Sequence, residues 1–172
     1  KGERKATRDA IGAGPRALAG VLESRDIEAS IIEAETIIGR ELPTGFDLLL
    51  VSGMTGDIPS IRKVVSRWKG DLSLVGGPVT SDPEQALRKP GCDIVVVGEG
   101  EETLSELLEA GVSRGELPSP DSLRTIKGLA FDVGNGVELT PLRRVMHRKA
   151  LDTLIPSTSD RKSVVKGKMG DL

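Results

Sequence analysis

The sequence predicts an α/β protein built on a parallel, doubly wound sheet. Two observations predict it. Short, almost continuous apolar runs, Phe46–Val51, Leu72–Val75 and Asp93–Val97, alternate with stretches whose apolar residues recur at helical spacing. Runs apolar on both faces are what strands buried between two helical layers require, and strand–helix alternation is the signature of a parallel sheet. Each run also ends in glycine: Ser52-Gly53-Met54-Thr55, Gly76-Gly77-Pro78 and Gly98-Glu99-Gly100-Glu101. Ligands of open α/β sheets sit outside the carboxyl ends of the strands, and a glycine there lets a ligand approach bare backbone.

Composition narrows the function classes. The 172 residues carry 24 Lys+Arg against 26 Asp+Glu, so no global charge points to nucleic acid. Aromatics make up 2% with no tyrosine, which argues against base-stacking surfaces. There is no apolar run near the ~20 residues that a membrane span needs, and no visible signal peptide, so a cytoplasmic protein is expected. A single cysteine, Cys92, excludes an internal disulfide and a metal cluster held by several thiolates of this chain. A single histidine, His147, excludes a multi-histidine metal site.

In chain order, Lys1 to Asp9 is charged and reads as an arm. Leu18, Val21 and Leu22 predict a helix from Pro15 to Ser24, with proline in its first turn. Ile27, Ala29, Ile31 and Ile32 predict a strand over Ile27–Ala34, and Thr36–Leu42 is ambiguous. After the strand Phe46–Val51, one helical face is formed by Ile58, Ile61, Val64, Val65 and Trp68. After Leu72–Val75, a helix is opened by Asp82-Pro83-Glu84-Gln85, with Asp82 as cap and Gln85 in the capping-box position. After Asp93–Val97, Glu101–Ala110 carries Leu104, Leu107 and Leu108 on one face and is stopped by Gly111. Leu117-Pro118-Ser119-Pro120 reads as a linker, and Ile126–Val133, Gly134-Asn135-Gly136 and Val137–Thr140 as a β-hairpin. The chain then turns polar and basic through Arg143-Arg144 and Arg161-Lys162, as a solvated linker does. The expected division is a domain over 1–116, a hairpin extension over 117–140 and a linker over 141–172.

The segment Arg4 to Ala10, ahead of the first glycine turn, is too charged for a central strand. Either a first strand is missing or the topology is unusual, and the former is favoured. Gly12-Ala13-Gly14-Pro15-Arg16-Ala17 fits G-x-G-x-x-A, with Glu33 or Glu35 about 20 residues on, which is the dinucleotide fingerprint without its leading strand. A dinucleotide (NAD or FAD)-binding oxidoreductase fragment is therefore one expectation, and a plain α/β interaction domain another. Cys92, next to a strand, reads as a small buried residue rather than a ligand.

The strand-end motifs together resemble those of the cobalamin-binding N-terminal domain of radical SAM proteins. The likeness rests on "LVGGP" at Leu74–Pro78, "DIVVVGEGEETLSELL" at Asp93–Leu108 and "IKGLAFD" at Ile126–Asp132, and spans about Gly12 to Thr140. It implies a Rossmann-like sheet with the corrin over the strand ends and the nucleotide tail running into the fold. Ser52 resembles the serine that contacts the tail base; Gly76 and Gly77 would let the tail pass; Gly98, Glu99 and Gly100 would line the cofactor edge. The implied cofactor-binding set is Ser52, Gly53, Met54, Thr55, Gly76, Gly77, Pro78, Gly98, Glu99, Gly100 and Glu101. The D-x-H-x-x-G motif of classical cobalamin mutases is absent, so cobalamin is expected base-off, without a histidine ligand. A C-x-x-x-C-x-x-C run is absent too. S-adenosylmethionine and a 4Fe-4S cluster would therefore belong to a following domain of the same polypeptide. That enzyme is expected to transfer methyl groups or do related radical chemistry, while this chain alone is not expected to be catalytic.

Overall fold

The computed structural model describes residues 13–143. The arm at Lys1–Asp9, the Gly12 of the fingerprint, His147 and the rest of the basic tail lie outside the described residues. The first helix, α1 (Ala13–Glu23), is followed by a short helix α2 (Ala34–Ile37) and then by β1 (Leu48–Ser52), α3 (Ile58–Val65), β2 (Leu72–Gly76), α4 (Pro83–Arg88) and β3 (Ile94–Val96). After these come α5 (Gly100–Glu109), α6 (Pro120–Thr125) and the strands β4 (Leu129–Asp132) and β5 (Val137–Leu139).

The strands form one five-stranded sheet in the order β1-β2-β3-β4-β5. β1, β2 and β3 are parallel, β3 and β4 antiparallel, and β4 and β5 are the expected hairpin. The hairpin continues the parallel sheet rather than standing apart from it. Strand side chains alternate between faces, and the core divides accordingly. Leu48, Leu72, Leu74, Ile94, Val96 and Phe131 pack on one face against α1, α5 and α6. Val75, Val95 and Ala130 pack on the other against α3, α4 and Val79. The predicted α/β architecture, with helices on both faces, is observed.

Local chemistry explains most of the boundaries. α1 ends with Asp26 in the left-handed region at φ 58, and the Ile27 N–H reaches back to the Leu22 carbonyl at 3.1 Å, a Schellman-type closure. Asp82 caps α4 by accepting from the Gln85 N–H at 3.0 Å, and the Gln85 side-chain amide also donates to the Asp82 carboxylate. Gly111, at φ 124, follows α5.

Three expectations differ from the structure. Ile27–Ala34 forms no strand: residues 27–33 pair with no neighbour, and helix α2 begins at Ala34. Ile27 and Ala29 pack on the core, while Ile31 and Ile32 line a cavity, so the alternation reflects burial without a ladder. The expected linker 117–120 leads into a helix, because Ser119 caps α6 and Pro120 takes its first position. Arg143, expected in a solvated linker, is held on α5: its guanidinium donates to Glu102 at 2.8 Å, Glu106 at 2.5 Å and Thr103 Oγ1 at 2.8 Å.

Candidate functional site

At the carboxyl ends of the parallel strands the apolar ladder stops. On the α1/α5 face β1 runs Leu48, Leu50, Ser52; β2 runs Leu72, Leu74, Gly76; and β3 runs Ile94, Val96, with Gly98 two residues beyond its end. Ser52 is in register with Gly76. A row that would continue as leucine or valine is thus serine, glycine and glycine, and the space those side chains would fill is a cleft. A cavity of about 280 Å³ opens there. Its mouth is formed by Ser52, Gly76, Gly77 and the Gly98–Glu101 turn, with Gly14 and Pro15 of α1 on the same cavity. Leu18, Leu22, Ile31, Leu50 and Trp68 continue it inward as an apolar slot. β1 is the last strand of the sheet among the described residues, and the slot wraps its outer side.

The glycines differ in what they allow. Gly77 sits at φ +84, and a Cβ there would come within 2.5 Å of Ser52 Oγ. It is a turn glycine, and its absent side chain is what lets the loops after β1 and β2 meet. Those loops are laced together by Gly53 N–H to Gly76 O at 3.4 Å and Val79 N–H to Gly53 O at 2.9 Å. Gly76 has an ordinary backbone, and a Cβ there would only touch the Val96 carbonyl at 3.7 Å. A Cβ on Gly98 would meet nothing within 4 Å, although φ is +86. Gly76 and Gly98 therefore present backbone to the cleft with room in front of it.

The third strand end is fixed by Thr103, which is fully buried. Its hydroxyl bonds the Glu99 carbonyl at 3.4 Å and the Lys127 carbonyl at 3.1 Å, tying the start of α5 to the segment before β4. Gly128 approaches the same turn, and its carbonyl accepts from the Val97 N–H at 2.8 Å. Glu99 takes the N-cap position of α5 without a side-chain cap bond. Glu101 lies in the first helical turn, 8% exposed and on the cavity. Two buried side-chain polar atoms lack a partner among the described residues, Glu101 Oε2 and Trp68 Nε1. Both residues line this cavity.

Of the sequence-predicted residues, the structure gathers Ser52, Gly76, Gly77, Gly98, Glu99, Gly100 and Glu101 around one cleft. Gly53, Met54, Thr55 and Pro78 do not line it. Thr55 begins a 3-10 turn, Thr55–Asp57, Pro78 begins another, Pro78–Ser81, and Met54 is 60% exposed on the loop after β1. Sequence reasoning missed Trp68, Ile31 and Leu18 as cavity residues, because their spacing reports only that they are buried. Gly14 and Pro15 had been singled out for a dinucleotide. The acid of that fingerprint needs a strand leading to it, and none leads to Glu33.

Cys92 is buried, and its thiol approaches the Ala86 carbonyl at 3.6 Å. Burial, and secondarily the charge of Asp93, push the thiol up to about 12, as expected of a packing residue. No group of histidine, cysteine and carboxylate side chains suited to a metal ion occurs among the described residues. No helix among them is long and apolar enough to cross a membrane.

Comparison with known proteins adds the following. The B12 binding domain family matches residues 4–108, more than half of the chain. The chain is 38% identical over 151 residues to uncharacterized protein MK0932 of Methanopyrus kandleri, a match covering 86% of this chain and 26% of that protein. It is 35% identical over 162 residues to uncharacterized protein MJ1620 of Methanocaldococcus jannaschii, covering 91% and 30%. The chain thus spans less than a third of these curated relatives. Among solved structures, the radical S-adenosylmethionine methyltransferase TsrM from Kitasatospora setae, with cobalamin and a 4Fe-4S cluster bound, matches with a TM-score of 0.60 at 17% identity, over 89% of this chain and 30% of that one. The same enzyme with tryptophan substrate and a SAM analog bound gives 0.59 at 18% identity, over 80% and 28%. At such identities the likeness is one of fold. Nothing in these comparisons supports the dinucleotide reading.

Proposed function

The chain belongs to the B12-binding domain family, and from that premise we propose that it holds cobalamin for a radical SAM enzyme of which it is the cofactor-positioning part. The observation that carries this is the replacement of the apolar ladder by Ser52, Gly76 and Gly98 at the mouth of an apolar slot. A corrin is broad, flat and rimmed with amides. It needs a surface where backbone is bare and a few polar groups converge. Gly76 and Gly98 provide the first, and Ser52 and Glu101 the second. The tail base is small, flat and apolar, and the slot behind the glycines, lined by Leu18, Leu22 and Leu50, suits it. When bound, cobalamin supplies a cobalt centre able to carry a methyl group. The chain's own residues bind, orient and shield it.

The donor set of the sequence supports a base-off mode without a histidine ligand. The only histidine is His147, which is not in the sequence of any of the loops that follow the parallel strands β1, β2 and β3, and no D-x-H-x-x-G motif follows any strand. A base displaced from cobalt then needs a dry place of its own, which the slot offers. The thiolates for a 4Fe-4S cluster are assigned to another domain of the same polypeptide, following the segment 141–172. The only cysteine here is buried in a core, and the match to TsrM is to part of a longer chain. S-adenosylmethionine and the methyl-transfer or related radical reaction belong with that domain.

Titration of the chain with hydroxocobalamin and methylcobalamin, followed by absorbance and calorimetry, tests the reading. Saturable binding with a base-off spectrum is expected. Gly76→Leu fills the mouth without straining the backbone and should weaken binding about tenfold or more while the fold survives. Gly77→Leu is a poor probe, since its backbone and Ser52 forbid the side chain. A folded chain that binds no cobalamin would sink the proposal, and a base-on spectrum would remove its base-off part.

A further inference from the structure

β1 has the sequence of an inner strand and the burial of an outer one. Leu49, Leu50 and Val51 are only half-buried, whereas Leu72–Val75 of β2 and Ile94–Val96 of β3 are buried throughout. A run apolar on both faces is what a strand flanked by other strands between two helical layers requires. Leu49 and Val51 pack towards the α3/α4 core and Leu50 towards the α1/α5 core, yet all three line the same cavity. Residues on opposite faces of a strand share a cavity where it lies beyond the strand's edge, in the plane of the sheet. The backbone agrees. The Asp47 carbonyl accepts from the Leu72 N–H at 2.9 Å, and the Gly53 N–H donates to the Gly76 carbonyl at 3.4 Å. The odd-numbered residues of β1 therefore turn their peptide groups to β2. Strand alternation turns those of Leu48, Leu50 and Ser52 outwards, and no described residue beyond the edge bonds them. The far side of the cavity is lined by Ile31 and Ile32, from the unpaired run 27–33. Ala19 of α1 covers one face, and Val64 of α3 with Trp68 after it covers the other.

We propose that this outer edge of β1 is the docking surface for a further strand of the same polypeptide: an apolar run of about five residues, matched to the five of β1, that pairs in parallel with Leu48–Ser52 and leads to α1. Its direction follows from α1, whose first residues, Gly14 and Pro15, stand on the cavity at the carboxyl ends of the strands. A strand entering α1 there runs as β1 does. Its composition follows from helices on both faces, which demand apolar side chains throughout. Arg4–Ala10, with two arginines, a lysine and an aspartate, lacks that composition, so the strand belongs to residues outside these 172. The curated relatives extend well beyond the matched part. A second copy fits less well, because residues 27–33 stand across the edge it would have to reach. The mouth, and the part of the slot beside Leu18 and Leu50, is left to the cofactor, and the inference does not depend on what binds there.

The gene supplies the first check: the coding sequence ahead of Lys1 should specify an uncharged apolar run of about five residues. Amide exchange supplies the second, measured on the 172-residue chain and on the polypeptide that begins at its natural start. In the shorter chain the amides of Leu48 and Leu50 should exchange about tenfold or more faster than those of Leu49 and Val51, which face β2. In the longer polypeptide all four should be protected alike. A difference that persists in the longer polypeptide, or an upstream sequence without an apolar run, would overturn the proposal. Equal protection of the four amides in the shorter chain would overturn it as well, since the edge would already be covered. Protection of Leu48 and Leu50 that rises with protein concentration, alongside a dimer in sedimentation, would give the edge to a second copy instead.

Discussion

Gly77 and Cys92 show how backbone conformation and burial fix the identity of single residues. Gly77 owes its identity to a positive φ and to Ser52 Oγ, so it shapes the turn that gives Gly76 its access to the cleft. Cys92 closes the opposite core beneath α4, and burial holds its thiol at about 12 against an ordinary value of 9.0. The raised value has a defined consequence. Between about pH 9 and pH 12 the unfolded chain releases the thiol proton and the folded chain does not, so stability present below about pH 9 is lost as pH rises through that window. Cys92→Ala should flatten this part of the profile, read as the difference in urea midpoint between wild type and variant at about pH 8 and about pH 10.5. Parallel profiles would show that the thiol is not coupled to folding. That Cys92 is a packing residue was legible from its place beside an apolar run. That Glu101 is dry was not, since a sequence motif carries no information on which helix will cover it.

At the scale of elements, α5 is the part on which the site depends. Its first turn supplies Gly100 and Glu101, its buried leucines join the larger core, and Thr103 and Arg143 fasten it to the hairpin side of the sheet. Arg143 is 11% exposed and bonds three side chains of α5, whereas its partners Glu102 and Glu106 remain substantially exposed. Replacing it should therefore cost about 1–2 kcal/mol, above the usual surface ion pair and below a buried one. Arg143→Ala should lower the denaturation midpoint accordingly and speed amide exchange at Gly100–Thr103. Arg143→Lys should recover less than half, because an ammonium cannot reproduce the three-way fork. Unchanged exchange would mean that α5 is held by its leucines alone. The sequence places 143 in a basic stretch, and only the return of the hairpin over α5 converts that arginine from a solvated charge into a clamp.

Across the whole molecule, the hairpin and the parallel strands share a core. Phe131 of β4 is buried with Ile94 of β3 and Leu107 of α5 in one cluster, so no boundary within the described sheet separates them. Phe131→Ala should cost about 3–5 kcal/mol. Trp68, on the far side by β1, should report the same unfolding midpoint as far-UV circular dichroism, since a two-state unit loses all its structure together. Separate midpoints would show that the hairpin melts alone. The alternation of apolar runs and amphipathic stretches was sufficient for the α/β architecture, for all five strands of the sheet and for the glycine-ended strand termini that frame the site. These are consequences of each segment's own periodicity and turn chemistry. The unpaired run at 27–33, the slot along β1, the unsatisfied oxygen of Glu101 and the clamp of Arg143 came from packing. Periodicity records how far a segment's side chains are buried, whereas pairing and cavities depend on where segments distant in sequence come to lie against each other.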